Sequence, residues 1–103
     1  MLKFLSAFLF GIWCVSGFGV VEVKGDPVKG EALYRKCIMC HGKGGEGKKS
    51  QKAPYIKGQY DWYVYKQLVM MKNKERINKA MEPYVTPLED QDFQDLAAYI
   101  SQL

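Results

Sequence analysis

The chain predicts a small all-α domain of three to four helices. Three features carry that prediction: apolar residues recur at helical spacing in two segments, acid- or hydroxyl-plus-proline pairs mark helix starts, and no run alternates with the period of two that a half-buried strand requires. At 103 residues, without internal repeats, it is one domain.

The N-terminal stretch has the layout of an export signal. Met1-Leu2-Lys3 is a short positive start, Phe4 to Trp13 is apolar, and the small residues Ser16, Gly17 and Gly19 follow. A cut after Gly19 would leave 1–19 as signal peptide and 20–103 as the domain. Uncleaved, Phe4 to Val21 is just long enough to cross a bilayer, which takes about 20 residues. Anchoring to the outer face of the inner membrane is thus the alternative to a free periplasmic protein. Lys3 is the only charged residue in 1–19, so the remainder holds 14 basic residues against 11 acidic ones. That small excess is unlike the strongly basic face of a nucleic-acid binder.

The first helix is expected to start at Asp26-Pro27, with aspartate as N-cap and proline in the first turn. Val28, Ala32 and Leu33 form its apolar positions and lead into Cys37, with His41 falling just past the helix end. There the chain reads Cys37-Ile38-Met39-Cys40-His41, the C-x-x-C-H spacing of c-type haem attachment. Two thiols three positions apart can each add across a vinyl group of one porphyrin, and the adjacent imidazole can bind its iron. A redox C-x-x-C would want a βαβ pattern, which is missing. A zinc site would want four ligands, and His41 is the only histidine, with Cys14 in the export segment the only other cysteine. Export agrees with the haem reading, because an exported C-x-x-C without haem tends to oxidise. A covalently held porphyrin also supplies apolar bulk to a chain too short for a large core of its own.

Gly42 to Lys57 reads as a loop, with four glycines, Pro54, and Lys43, Lys48, Lys49, Lys52 and Lys57 but no apolar period. Tyr60 to Lys74 reads as a helix with Tyr65, Leu68, Val69 and Lys72 on one stripe and Trp62 and Tyr63 adding aromatics that would face a core built largely of haem. Arg76 to Thr86, which contains Pro83, is expected to be irregular. Thr86-Pro87-Leu88-Glu89 has the form of a capping box, and Phe93, Leu96, Ala97 and Ile100 follow at helical spacing. Asp90, Asp92 and Asp95 put negative charge near that helix start.

With His41 on one face of the iron, no second histidine exists for the other. Met39 lies inside the attachment loop, Met70 and Met71 lie on the predicted third helix, and Met81 stands in the irregular segment, where a loop can lay a thioether on iron. Met81 is the preferred second ligand; Met70, Met71 or an open position are the alternatives. A thioether raises the potential relative to a second imidazole, and two protein ligands leave no position for substrate.

Over residues 25–103 the chain resembles the small bacterial monohaem class I c-type cytochromes. Gly30-Glu31-Ala32-Leu33-Tyr34 is similar to that family's first-helix pattern, Leu96-Ala97-Ala98-Tyr99-Ile100 to its last-helix pattern, and Ala53-Pro54 to its proline segment, which Gly58-Gln59 and Gln67-Leu68 also fit. The resemblance implies that the two terminal helices cross at Gly30 and that all the helices wrap around one haem. It also implies that the Pro54 carbonyl accepts the His41 ring N–H, and that Met81 occupies the position of the family's methionine ligand. Glu89 departs from the serine or threonine usual there. The function expected is one-electron transfer by haem c between respiratory or other redox partners, with no catalysis of its own. Partners would be a quinol-oxidising complex, an oxidase, a peroxidase or another periplasmic oxidoreductase, met by a monomer, with lysines of the 42–57 loop steering acidic surfaces. The alternatives are a haem enzyme or sensor with an open distal site and a haem-free thiol-disulfide protein.

Overall fold

A computed structural model describes residues 22–103; the expected export segment lies outside them. The described chain forms α1 (Pro27–Tyr34), α2 (Ile38–His41), a 3-10 turn (Lys49–Gln51), α3 (Asp61–Lys72), α4 (Glu82–Val85) and α5 (Asp90–Ile100). The all-α class is therefore observed, with α1, α3 and α5 as the long helices and α2 and α4 as single turns. An isolated bridge between Lys48 and Ala53 is the only β feature among the described residues. No helix among them is long and apolar enough to cross a membrane.

α1 starts as expected. Asp26 is extended (φ −95°, ψ 111°) and its carboxylate accepts the Val28 N–H at 2.9 Å, with Pro27 in the first turn. Its buried face matches the expected one only at Leu33, which packs half-buried against the core. Gly30 and Tyr34 are buried, whereas Val28 is 74% exposed and Ala32 is exposed. α1 also ends at Tyr34 rather than running into Cys37. The Cys37 N–H bonds the Tyr34 carbonyl at 2.8 Å, a three-residue closure that breaks the four-residue helical ladder. The attachment motif then forms its own turn, so His41 is the last residue of α2 instead of lying past a helix.

α5 crosses α1 and packs on α3. Phe93, Leu96, Ala97 and Ile100 are buried at the spacing the sequence shows. Its start lies a turn later than Thr86 suggests. Glu89 caps it, in a reciprocal box in which the Asp92 carboxylate accepts the Glu89 N–H at 2.9 Å. Thr86 instead ends α4, its hydroxyl donating to the Glu82 carbonyl at 2.7 Å. The segment expected to be irregular holds α4 because Pro83 falls in the first turn, where a backbone N–H has no helical partner to lose.

α3 buries Val64, Leu68 and Met71, a stripe offset from the expected Tyr65, Leu68, Val69 and Lys72. The aromatics at its start do not enter the core. Tyr60 is 70% exposed, and it stacks on Trp62, which meets Tyr63 edge-on. Trp62 lies two residues before Val64, about 200° around the helix, which turns it away from the buried face. The Lys72 ammonium donates to the Leu88 carbonyl and sits 5.9 Å over the Phe93 ring, tying α3 to the entry of α5.

Candidate functional site

Cys37, Cys40 and His41 are brought onto one side of α2 by its geometry. At about 100° per residue, Cys40 falls about 60° to one side of Cys37 and His41 about 40° to the other. Met39 points away and is 79% exposed. The turn is closed by the His41 N–H on the Cys37 carbonyl (2.8 Å) and the Gly42 N–H on the Ile38 carbonyl (2.8 Å).

His41 is only 7% exposed. Its Nδ1 lies 3.0 Å from the Pro54 carbonyl oxygen. A carbonyl can only accept, so Nδ1 carries a proton, and in the neutral ring Nε2 is the nitrogen that keeps a free lone pair. The loop folds back to make this contact. Gly42 takes φ +85°, a conformation that favours glycine, and the Gly47 N–H donates to the His41 carbonyl at 2.7 Å. Tyr34, 1% exposed and packed on Tyr99, donates its hydroxyl to the Gly42 carbonyl at 2.6 Å. The imidazole is thus fixed in position and tautomer by groups on α1 and the 42–57 loop.

Cys37 and Cys40 are free and half-buried. Burial, with Cys40 nearby adding to it, pushes the Cys37 thiol up to about 11. It is therefore a protonated, weakly nucleophilic thiol in the folded chain. A thioether has no proton to lose and suits the same surroundings. Met81 caps α4 and, like Cys37 and Ile38, packs half-buried against the core cluster that includes Tyr34, Leu68 and Phe93. Two thiols, a tautomer-fixed imidazole and a thioether, gathered around one apolar core, form a donor set that fits a thioether-linked porphyrin. Met71 is buried in that core and Met70 is half-buried on the same helix. Among the described residues no group of three or more His, Cys, Asp and Glu side chains could hold a bare metal ion.

A model of the cytochrome c family matches residues 27–103. The chain belongs to the cytochrome c family. This class I c-type cytochrome is 42% identical over 76 residues to cytochrome c4 of Thiocapsa roseopersicina, covering 73% of the chain and 38% of the relative. It is 34% identical over 83 residues to cytochrome c4 of Pseudomonas aeruginosa, covering 81% of the chain and 41% of the relative. Among solved structures, reduced recombinant cytochrome c4 from Pseudomonas stutzeri matches with a TM-score of 0.71 at 28% identity, over 75% of this chain and 47% of that one. Cytochrome c4 of Acidithiobacillus ferrooxidans matches with a TM-score of 0.70 at 28% identity, over 85% of this chain and 53% of that one. The cytochrome thus spans about two fifths to half of the relatives it matches. Membership of the family implies covalently bound haem c.

Three residues that organise this cytochrome were not read from the sequence as doing so. Asp95 reads in the sequence as helix-start charge, yet it is 3% exposed and accepts the Asp26 N–H at 2.8 Å and the Gln91 amide at 2.9 Å. The Tyr34 hydroxyl and the Asn78 side chain each hold backbone beside a candidate iron ligand. Two of them carry a sequence signal: Tyr34 closes the Gly30–Tyr34 pattern, and Asn78 stands three residues before Met81.

Proposed function

We propose that this cytochrome is a periplasmic one-electron carrier, with haem c joined to Cys37 and Cys40 and bound axially by His41 and Met81. When bound, the haem supplies an iron that passes between ferric and ferrous. The observation that carries the reading is the His41 ring: Nδ1 is spent on Pro54, so the opposite nitrogen is free and held in orientation. The Pro54 carbonyl also makes the imidazole a stronger donor. The Met81 thioether favours the ferrous state and denies the second face to substrate or dioxygen. Such a site moves charge with little rearrangement.

Lys43, Lys48, Lys49 and Lys52 are all exposed on the loop that follows His41. They would draw acidic faces of a quinol-oxidising complex, an oxidase, a peroxidase or another oxidoreductase into fast, salt-sensitive encounters. The ferric absorption spectrum tests the ligand set. The intact protein should show the weak sulfur-to-iron band, and Met81→Ala should lack it, bind carbon monoxide once reduced and have a lower potential. A band missing from the intact protein, with prompt carbon monoxide binding, would replace the carrier with a haem enzyme or sensor.

A further inference from the structure

The segment between α3 and α4 is mostly exposed, and Ile77 within it is 69% exposed. Asn78 and Met81 are its half-buried members. The Asn78 Oδ1 accepts the Met81 backbone N–H at 3.1 Å, and its own carbonyl accepts the Glu82 N–H at 3.0 Å. From the other side, the Met81 carbonyl accepts the Tyr84 and Val85 N–H groups at 2.9 and 3.1 Å. Both backbone groups of Met81 are therefore held, the N–H by a single side chain. The start of the segment is tied by backbone bonds from the Glu75 and Arg76 N–H groups to the Met70 carbonyl at 2.9 and 3.1 Å, and its other side-chain ties lie on the surface. Lys74 and Glu82 pair at 3.5 Å with exposed side chains, and Arg76 donates to Gln67 on the surface at 2.6 Å.

A methionine side chain has three rotatable bonds, so its sulfur stays where it is needed only if its backbone is fixed. We propose that Asn78 is a positioning residue that keeps the Met81 thioether on the iron by fixing the Met81 backbone. The proposal rests on Met81 being the axial ligand. It requires an acceptor on a short side chain at this position. Aspartate keeps that acceptor; leucine matches the size without it.

The experiment uses the haem-loaded protein and measures the rate at which saturating cyanide replaces the sulfur ligand in the ferric state, with the sulfur-to-iron band followed alongside. Loss of one hydrogen bond of ordinary strength should raise the Asn78→Leu rate about fivefold. Asn78→Asp should stay within about twofold of the parent, since its acceptor can still meet the Met81 N–H. Gln91→Ala, which loosens the Asp95 and Lys24 contacts, serves as the control for general loosening and should leave the rate unchanged. Equal rates for Asn78→Leu and the parent would overturn the proposal, as would equal acceleration in Gln91→Ala. In both cases the ligand reading stands if Met81→Ala loses the band. A Met81→Ala protein that keeps the band removes the ligand reading, and the proposal with it.

Discussion

Gly30→Ala sets two physical effects against each other, and the structure decides the sign. Gly30 is inside α1, where alanine is favoured over glycine by about 1 kcal/mol. Helix propensity alone therefore makes the substitution stabilising. In the fold, however, a methyl at Gly30 would lie 2.6 Å from the Asp95 carbonyl carbon and 2.8 Å from the Tyr99 Cβ, and closer still to the Asp95 oxygen. Ordinary contact begins near 3.4 Å, so α1 and α5 must part by about 0.8 Å to relieve the carbonyl carbon alone, and cores resist such overpacking at about 1–3 kcal/mol. The obstruction is backbone in the middle of α5 and cannot swing aside like a side chain. Separation would also loosen Tyr34 against Tyr99. The clash at the high end of that range outweighs propensity, giving a net loss of about 2 kcal/mol, or a fall in Tm of roughly 8–16 °C for a domain of this size. Thermal unfolding of the haem-loaded protein, followed by far-UV circular dichroism, measures it. An unchanged or higher Tm would refute the close crossing at Gly30.

Other outcomes follow from the same contacts. Asp95→Ala removes the acceptor for the Asp26 N–H and the Gln91 amide at a buried position, so guanidinium unfolding should show a loss of roughly 2–4 kcal/mol. Tyr34→Phe removes the bond to the Gly42 carbonyl. Burial raises the Tyr34 hydroxyl from 10.0 to about 12, so its contribution is complete below pH 10 and is lost as pH rises through about 12. Melting curves should show the parent losing its advantage over Tyr34→Phe across that window; a constant gap would contradict the buried hydroxyl. Lys48→Glu with Lys49→Glu should slow oxidation by ferricyanide, an anion, at low ionic strength. The difference should close in about 1 M salt, where the Debye length is about 3 Å; indifference to salt would assign these lysines to plain solvation.

Local features were legible in the sequence because they are written in adjacent residues. Cys37, Cys40 and His41 state their own spacing, Asp26-Pro27 states a helix start, and Phe93, Leu96, Ala97 and Ile100 show the face of α5 that is buried. What could not be read depends on which backbone groups meet in space. Val28 looks like an inward residue until Gly30 is seen to take the contact with α5. Thr86 looks like an N-cap until α4 claims it. The aromatics at the start of α3 look like core, yet the helix presents Val64, Leu68 and Met71 instead. Asp95 is indistinguishable in sequence from the acids that favour a helix start, and its burial follows only from the docking of residues 24–26 on α5. The His41–Pro54 pairing spans 13 residues of loop, and only the family resemblance suggested it.

Peptide mass mapping of the protein isolated from its natural host tests the central claim most directly. The peptide that contains residues 37–41 should carry the mass of one haem bound through both cysteines. Recovery of that peptide with two free thiols, or with a Cys37–Cys40 disulfide, would contradict the account.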